Sequence, residues 1–250
     1  MSVDDPIPTN RHTFDHTYVR SLFNRIAPRY DFLNHFLSLG FDILWRKKAV
    51  SFLQEYEPRT ILDVATGTAD LALEACKPPV QKVYGIDLSP AMLEFAREKI
   101  RRQGLEHKIA VEEGSAEQIR FPDDSFDAVM VAFGIRNFTD LHRGLQEMLR
   151  VLRPGGALMI LEFSRPRRAP FKQMYSFYFT RILPRLGGVI SRSPEAYQYL
   201  PSTVQSFPDG DTMIKILMAI GFVGVFQRRL TLGIATVYMA EKPLLLQSKE

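Results

Sequence analysis

The sequence predicts an α/β fold in which helices cover both faces of a doubly wound, mostly parallel sheet. Short apolar runs that end in polar residues alternate with amphipathic runs of helical period through most of the chain. Strands and helices that alternate in this way build parallel sheets. The pattern therefore predicts ligand sites at the carboxyl ends of the strands.

Residues 60–70 are the stretch around which the predicted fold is organised. A buried apolar run ends at Asp63, small residues follow, and an amphipathic segment begins at Leu71, which indicates a strand that turns sharply into a helix. Gly67 permits a positive φ, and its small neighbours let a nucleoside lie against the main chain. Asp87 ends the next apolar run, where an acid is placed to accept hydrogen bonds from ribose hydroxyls.

The composition predicts one domain in a reducing compartment. The 250 residues are 46% hydrophobic and include a single cysteine, Cys76, so we expect neither a disulfide framework nor a metal site. The acidic, polar start predicts no signal peptide, and no apolar run is long enough to span a membrane. We therefore expect a cytoplasmic protein. A net charge of +4 suits nucleic acid, an anionic cofactor or a membrane surface and identifies none of them.

The N-terminal part is predicted to be a mobile arm followed by helices. The arm covers residues 1–17, and a helix begins at Tyr18 and is broken by Pro28. An aromatic-rich segment at 30–42 and a helix at 43–53 come next.

Two interpretations of residues 18–57 stay open. They form either a helical cap over one end of the sheet or a lid over a substrate pocket. Asp31, Asn34 and His35 lie among Phe and Leu in this segment. Burying them without partners would be costly, so we expect each to have a polar partner.

The rest of the chain continues the alternation after Asp87. The predicted elements are a helix at 91–103 capped by Ser89, strands at 108–111, 126–133 and 157–163, a helix at 141–152 stopped by residues 153–156, a helix at 212–220 and an antiparallel strand pair at 223–226 and 234–240. Residues 18–250 thus form one predicted domain.

Two enzyme classes share this alternation, the nicotinamide dehydrogenases and the methyltransferases. The turn keeps only its middle glycine, with Ala65 and Ala69 at the flanking positions, whereas a pyrophosphate grip needs more glycine. An ordered set of motifs favours the second class: Leu62-Asp63 with Gly67, Asp87, Ser115-Ala116, Phe121-Pro122-Asp123, Ser125-Phe126-Asp127, and Leu152-Arg153-Pro154-Gly155-Gly156. In this order and spacing the chain resembles the class I methyltransferases that use S-adenosylmethionine. The resemblance implies a Rossmann-like, seven-stranded sheet whose last strand is antiparallel.

Further blocks outside the turn narrow the resemblance to one family. Residues 23–34, 133–140 and 197–208 are similar to segments of the ubiquinone/menaquinone biosynthesis C-methyltransferases, and the similarity extends over about 19–242. It implies methylation of a ring carbon of a prenylated quinol, which is demethylmenaquinol, the corresponding benzoquinol, or both.

The same resemblance implies which residues bind the cofactor. Gly67 and Thr68 correspond to the turn that approaches the methionine part of S-adenosylmethionine, and Asp87 corresponds to the acid that binds the ribose. Ser115 and Ala116 correspond to the pair beside the adenine. Many relatives have Asp or Asn at the position of Ser115, so here the backbone of Ala116 is the expected contact.

Four residues are candidates for catalysis. A ring carbon of a quinol becomes a nucleophile only when a hydroxyl loses its proton, so the site needs a group that stabilises the oxyanion and holds the reactants aligned. Arg136 and Asn137 follow the fourth predicted strand, where Arg136 would stabilise the oxyanion and Asn137 would orient it or a water. Tyr30 and Asp31 would close over the same pocket.

Residues 163–200 are predicted to be an insertion. Their first part, 163–194, is rich in Arg and aromatic residues and contains no acid. A packed helix with a solvated basic edge accounts for this composition. We prefer a segment that covers the quinol, admits its isoprenoid tail and touches the anionic inner face of the membrane. The oligomeric state is left open between a monomer and a homodimer.

Three other functions are alternatives to quinol methylation. An RNA methyltransferase would explain the positive charge but normally carries a binding module or a dedicated motif after the fourth strand, and Arg136-Asn137 is neither. We therefore expect no nucleic-acid partner. The intact turn and Asp87 argue against a non-enzymatic cofactor-binding protein. A small-molecule O-methyltransferase is the nearest alternative.

Overall fold

Seven strands form a single sheet with the order β3-β2-β1-β4-β5-β7-β6 in the computed structural model, which describes residues 15–167, 169–177 and 201–244. The strands are β1 Thr60–Val64, β2 Lys82–Asp87, β3 Ile109–Glu113, β4 Phe126–Ala132, β5 Leu152–Phe163, β6 Val223–Leu230 and β7 Ala235–Glu241. β1 to β5 pair in parallel, and β7 runs antiparallel between β5 and β6. The predicted fold class is confirmed.

Helices cover both faces of this sheet. They are α1 His16–Ile26, α2 Tyr30–Leu37, α3 Phe41–Gln54, α4 Asp70–Ala75, α5 Pro90–Arg102, α6 Leu141–Val151, α7 Phe171–Phe177 and α8 Asp211–Ile220. One buried cluster joins the sheet to α3, α4 and α5, and a second joins its other face to α6 and α8. The central strands are apolar along their length because they are buried on both faces.

The N-terminal helices lie over the carboxyl end of the sheet. α1 starts at His16, two residues before the predicted start, and residues 1–14 of the predicted arm lie outside the described residues. Pro28 falls in a 3-10 turn between α1 and α2. Asn24 accepts a hydrogen bond from the Ser89 hydroxyl at 2.7 Å, which joins α1 to the start of α5.

β5 begins earlier than the sequence predicted. Residues 153–156 were expected to be a stop between helix and strand, but Leu152 already pairs with Phe126 of β4. The ladder shifts register before Ala157, and Gly155 has a φ of 77°. A glycine that adopts this conformation lets the strand bulge and continue. The prediction that the strand starts at 157 was therefore wrong.

The predicted insertion is described only in part, because residues 168 and 178–200 lie outside the described residues. Its first arginines pair with acids from a later segment: Arg165 contacts Asp209 at 3.1 Å and Arg167 contacts Asp211 at 3.6 Å. The absence of acids within the insertion therefore does not leave these two cations unpaired. In the described part of the chain, no helix is long and apolar enough to cross a membrane.

Candidate active site

Three residues in the turn after β1 adopt left-handed backbone conformations. Gly67 has a φ of 56°, as its lack of a Cβ allows, but Ala65 and Ala69 also have positive φ values of 54° and 67°. The sequence assigned this conformation to Gly67 alone. The two alanines stand where more glycine-rich turns have glycine, so the main chain keeps that shape at some cost in strain.

Asp87, at the end of β2, binds this turn. Its Oδ2 accepts a hydrogen bond from the Gly67 amide at 2.8 Å, and its Oδ1 accepts one from the Ser89 amide at 2.8 Å. Burial raises the pKa of Asp87 to about 6, against the effect of these amide donors. A carboxylate oxygen has two lone pairs, so Asp87 can hold the turn and still accept bonds from a ligand.

A cleft opens above these residues, and the space in it, counted together with its open mouth, is about 640 Å³. Five of the nine predicted site residues line it, namely Tyr30, Gly67, Asp87, Ala116 and Asn137. The apolar side chains of Leu88 and Met92 and the acid Glu117 also line it. Sequence reasoning missed these three.

Ser115 and Thr68 do not line the cleft. Each of their hydroxyl groups instead donates a hydrogen bond to an acidic side chain, Glu117 and Asp31 respectively. The Ser115 hydroxyl donates to Glu117 Oε2 at 2.5 Å, and Glu117 Oε1 accepts the Thr139 amide at 2.9 Å. Glu117 therefore joins the loop after β3 to the loop after β4. Its only sequence signal is its position directly after the Ser115-Ala116 pair.

Asp31, a predicted catalytic residue, joins α2 to the turn after β1 and to α5. It accepts a hydrogen bond from the Thr68 hydroxyl at 2.6 Å and pairs with Lys99 of α5 at 2.6 Å. His35 pairs with Asp42 at 2.7 Å. These contacts supply the polar partners that the sequence required for Asp31 and His35.

Tyr30 lies on the cleft side of the same helix. Burial raises the pKa of its hydroxyl against the field of Arg136 and a hydrogen bond with Asn34, so the hydroxyl stays neutral. A Cβ on Gly67 would lie 3.9 Å from the Tyr30 ring and meet nothing else within 4 Å. Gly67 thus leaves an open cradle beneath the ring.

Arg136 is buried beside the cleft and forms an ion pair with Glu162. Their contact is 2.8 Å, the Arg136 side chain is 7% exposed, and Glu162 is fully buried. The guanidinium also donates to the Phe133 carbonyl and lies 5.5 Å from the Phe163 ring. Among the described residues, Arg136 does not itself line the cleft, but its neighbours Phe133 and Asn137 do.

Comparison with known proteins identifies the family. The sequence profile described as the ubiE/COQ5 methyltransferase family matches residues 11–242. The chain belongs to this family.

Curated relatives agree with this assignment. A demethylmenaquinone methyltransferase of Bacteroides fragilis is 47% identical over 225 residues, which is 90% of this chain and 92% of the relative. A protein of Geobacter sulfurreducens named ubiquinone/menaquinone biosynthesis C-methyltransferase is 47% identical over 90% of this chain and 89% of its own length. A demethylmenaquinone methyltransferase of Thermus thermophilus is 45% identical over 89% of this chain and all of its own length.

Solved structures share the fold at low sequence identity. A methyltransferase of Thermotoga maritima, described as a possible histamine N-methyltransferase, has a TM-score of 0.62 at 20% identity and covers 89% of this chain and 99% of its own. A putative methyltransferase of Haloferax volcanii, bound to its Trm112 activator, has a TM-score of 0.65 at 16% identity. It covers 88% of this chain and 97% of its own. These structures show the fold, and membership of the family identifies the chain as an S-adenosylmethionine-dependent methyltransferase.

The cleft of the methyltransferase fits this cofactor. Asp87 presents a carboxylate for ribose hydroxyls, and Leu88, Met92 and Ala116 supply apolar surface for an adenine ring. The open cradle at Gly67 leaves space for the chain that joins the ribose to the methionine sulfur. The individual residue assignments remain predictions.

The affinity for S-adenosylhomocysteine is predicted to fall as the pH drops through about 6. Asp87 must be ionised to accept the ribose hydroxyls, and its pKa is raised to about 6. Calorimetric titration from about pH 8 to about pH 5 measures this change. Asp87→Asn should bind more weakly at high pH and lose this pH dependence, whereas Asp127→Asn, which removes a carboxyl that does not line the cleft, should keep it. The same pH profile in the wild type and Asp87→Asn would exclude Asp87 as the ribose acceptor.

Proposed function

We propose that the methyltransferase transfers a methyl group to a ring carbon of a prenylated quinol in respiratory quinone biosynthesis. Demethylmenaquinol is the principal substrate, and the equivalent benzoquinol is a second one. The names of relatives that are 45–47% identical over about nine-tenths of the chain support this assignment.

Methylation of a quinol ring carbon requires two contributions from the protein. S-adenosylmethionine supplies an electrophilic methyl group when it is bound. A ring carbon attacks this group after a quinol hydroxyl loses its proton; the new carbon–carbon bond forms as the carbon–sulfur bond breaks. Loss of the ring proton then restores the aromatic ring as a phenolate, and protonation of its oxygen gives the methylated quinol. The protein must therefore stabilise a phenolate and hold the ring in line with the methyl group.

One observation carries the assignment of the phenolate site. Nε of Arg136 is buried and has no hydrogen-bond partner among the described residues. A buried donor without a partner is costly, and Glu162 holds the guanidinium in place through Nη1. A phenolate oxygen would supply this partner from the part of the cleft lined by Asn137, the neighbour of Arg136 in the chain. Asn137 and the neutral hydroxyl of Tyr30, which line the cleft, orient the same oxygen.

The decisive experiment follows methylation of reduced demethylmenaquinone. Purified protein, methyl-labelled S-adenosylmethionine and the quinol in detergent should yield a ring-methylated product by mass spectrometry. The oxidised quinone should give none, because it has no hydroxyl to ionise. The demethylated benzoquinol, run in parallel, tests the second substrate. Transfer to oxygen, or cofactor binding without methylation of either quinol, would contradict the proposal.

Arg136→Lys is expected to lower kcat at least tenfold while cofactor affinity changes by less than about twofold. Lysine keeps a charge beside Glu162, so the fold is retained, but it lacks the Nε donor. Steady-state kinetics and calorimetry separate the two effects. Arg143→Lys is the control, because Arg143 is 55% exposed and contacts Glu147 at 3.7 Å. Equal losses of affinity and turnover in Arg136→Lys would indicate a structural role.

We further propose that α2 and α3 contact an anionic membrane surface, from which the quinol enters. An apolar patch of exposed side chains lies on these helices and the link between them: Phe32, Phe36, Leu39, Phe41, Ile43 and Leu44. Phe32 and Phe36 stack with their ring centroids 5.8 Å apart. Lys47 and Lys48 are exposed next to the patch, and basic residues add to apolar contact at an anionic leaflet. The homodimer remains a prediction.

Replacing Phe32 and Leu39 together by Ser should weaken binding to vesicles that contain anionic lipid, because these side chains are 59% and 79% exposed. Cosedimentation at low and high salt measures the apolar and the electrostatic parts. Met218→Ser is the matched control, because Met218 is 60% exposed on α8, which packs on the other face of the sheet. Unchanged vesicle binding in the double variant would argue against this surface.

A further inference from the structure

Phe133, the first residue after β4, has a strained backbone. Its φ is 57°, in the left-handed region that a bulky residue rarely adopts. The next residue is a glycine, yet Gly134 has an ordinary φ of −110°. The chain therefore places the unfavourable conformation on an aromatic residue, although a glycine, which adopts it freely, is adjacent.

Gly134 is needed for a different reason. A Cβ on Gly134 would lie 2.6 Å from the Cβ of Ala65 in the turn after β1, which is closer than two side chains can approach. The glycine thus lets the loop after β4 pack against that turn. A second glycine at position 133 would remove the strain, but an aromatic residue stands there. Strain of this kind persists only where the surrounding contacts impose it.

The left-handed conformation directs the Phe133 carbonyl at Arg136. The Phe133 amide donates to the Leu161 carbonyl of β5 at 2.8 Å, so the residue stays attached to the sheet. Its carbonyl accepts a hydrogen bond from Arg136 Nη1, and the same nitrogen donates to Glu162 Oε1 at 2.8 Å. Two acceptors at the ends of neighbouring strands therefore fix this part of the guanidinium.

The Phe133 ring supports the same guanidinium through Phe163. The centroids of the two rings are 4.7 Å apart, and the guanidinium carbon of Arg136 lies 5.5 Å from the centroid of the Phe163 ring. Trp45 packs against both rings, with centroid distances of 6.2 Å and 6.1 Å. Phe133 is 7% exposed, so its ring is held on nearly all sides.

We infer that Phe133 is a positioning residue for Arg136. Its carbonyl and its ring fix the guanidinium from two directions, which holds the Nε of Arg136 in one orientation beside the cleft. This nitrogen is buried and has no hydrogen-bond partner among the described residues, so its direction depends on contacts made by the rest of the group. The inference rests on the proposed function only for the effect of Arg136 on turnover.

The alternative is that the Phe133 ring only fills the core. Phe126 provides a matched control for that role. It lies at the other end of β4, is 2% exposed and packs against the Phe121 ring at a centroid distance of 4.9 Å. Neither of these two rings belongs to the described lining of the cleft. Phe126→Leu should therefore lower stability without moving Arg136.

The first measurement observes Arg136 directly and needs no turnover. In a proton–nitrogen correlation spectrum by NMR, the Nε–H signal of Arg136 is the arginine side-chain signal that Arg136→Lys removes. Phe133→Leu should shift this signal and speed the exchange of its proton with water at least about tenfold, because a guanidinium that is no longer fixed opens to solvent more often. Phe126→Leu should change neither. Phe163→Leu, which keeps the Phe133 carbonyl in place, is the second variant and should give a smaller change of the same kind.

The second measurement is a double-mutant cycle on kcat. Phe133→Leu should lower kcat by about tenfold, because a displaced group stabilises the transition state less well, and should change the affinity for S-adenosylhomocysteine by less than about threefold. In the Arg136→Lys background the same substitution should lower kcat by less than about twofold, because the contact through which it acts is already lost.

Three results would overturn the inference. The Arg136 Nε–H signal could be the same in Phe133→Leu and the wild type. Phe126→Leu could change that signal as much as Phe133→Leu does, which a general loosening of the core explains. The losses of kcat in Phe133→Leu and Arg136→Lys could multiply in the double variant, as independent effects do. A wild-type protein that methylates neither quinol, with the signal changed as expected in the variants, would contradict only the proposed function.

Discussion

The hydrogen bond from the Gly67 amide to Asp87 is the contact on which the rest of the site depends. It joins the turn after β1 to the end of β2 over 2.8 Å. The turn carries Ala65 and Ala69 in left-handed conformations that are unfavourable for alanine, so it needs such an external bond to keep its shape. Both residues of this contact line the cleft, so the contact fixes part of its wall.

The sequence predicted the sheet better than the contacts between elements. Strands buried on both faces are nearly continuous apolar runs, so their order could be predicted along the chain. The early start of β5 at Leu152 was missed because a segment with proline and two glycines usually ends an element. The pairing of Asp31 with Lys99 joins residues far apart in sequence, and no local pattern indicates it. The sequence predicted that Asp31 closes over the substrate pocket, and it gave no sign of this ion pair.

A line of alternating charges joins α2 to α3, α4 and α5. Asp31 pairs with Lys99, Lys99 with Asp70, Asp70 with Arg46, and Arg46 with Asp42. Although burial alone would raise it, the hydrogen bond from Ser38 and the charge of Arg46 hold the pKa of Asp42 below its usual value. Each pair is partly exposed or shared, so none contributes much alone. The line holds α2 at two points, because Asp31 lies at one end of it and His35 pairs with Asp42 at the other. This places the Tyr30 ring over the cradle at Gly67.

Two buried carboxyl groups of the site have raised pKa values, and these shifts affect the pH dependence of the protein's stability. The pKa values of Asp63 and Asp87 are about 7 and about 6, both raised by burial, whereas an unfolded chain has about 3.9. The folded protein therefore takes up these protons first, so the contribution of both groups to stability increases as the pH falls from about 7 to about 4. Asp127 acts in the opposite sense, because hydrogen bonds from Thr60 overcome its burial and lower its pKa. At neutral pH the site thus holds Asp87, and in part Asp63, in charged forms that burial disfavours. In the predicted binding mode, ribose hydroxyls would stabilise the charged form of Asp87, so cofactor binding would offset the cost of keeping this buried carboxyl ionised.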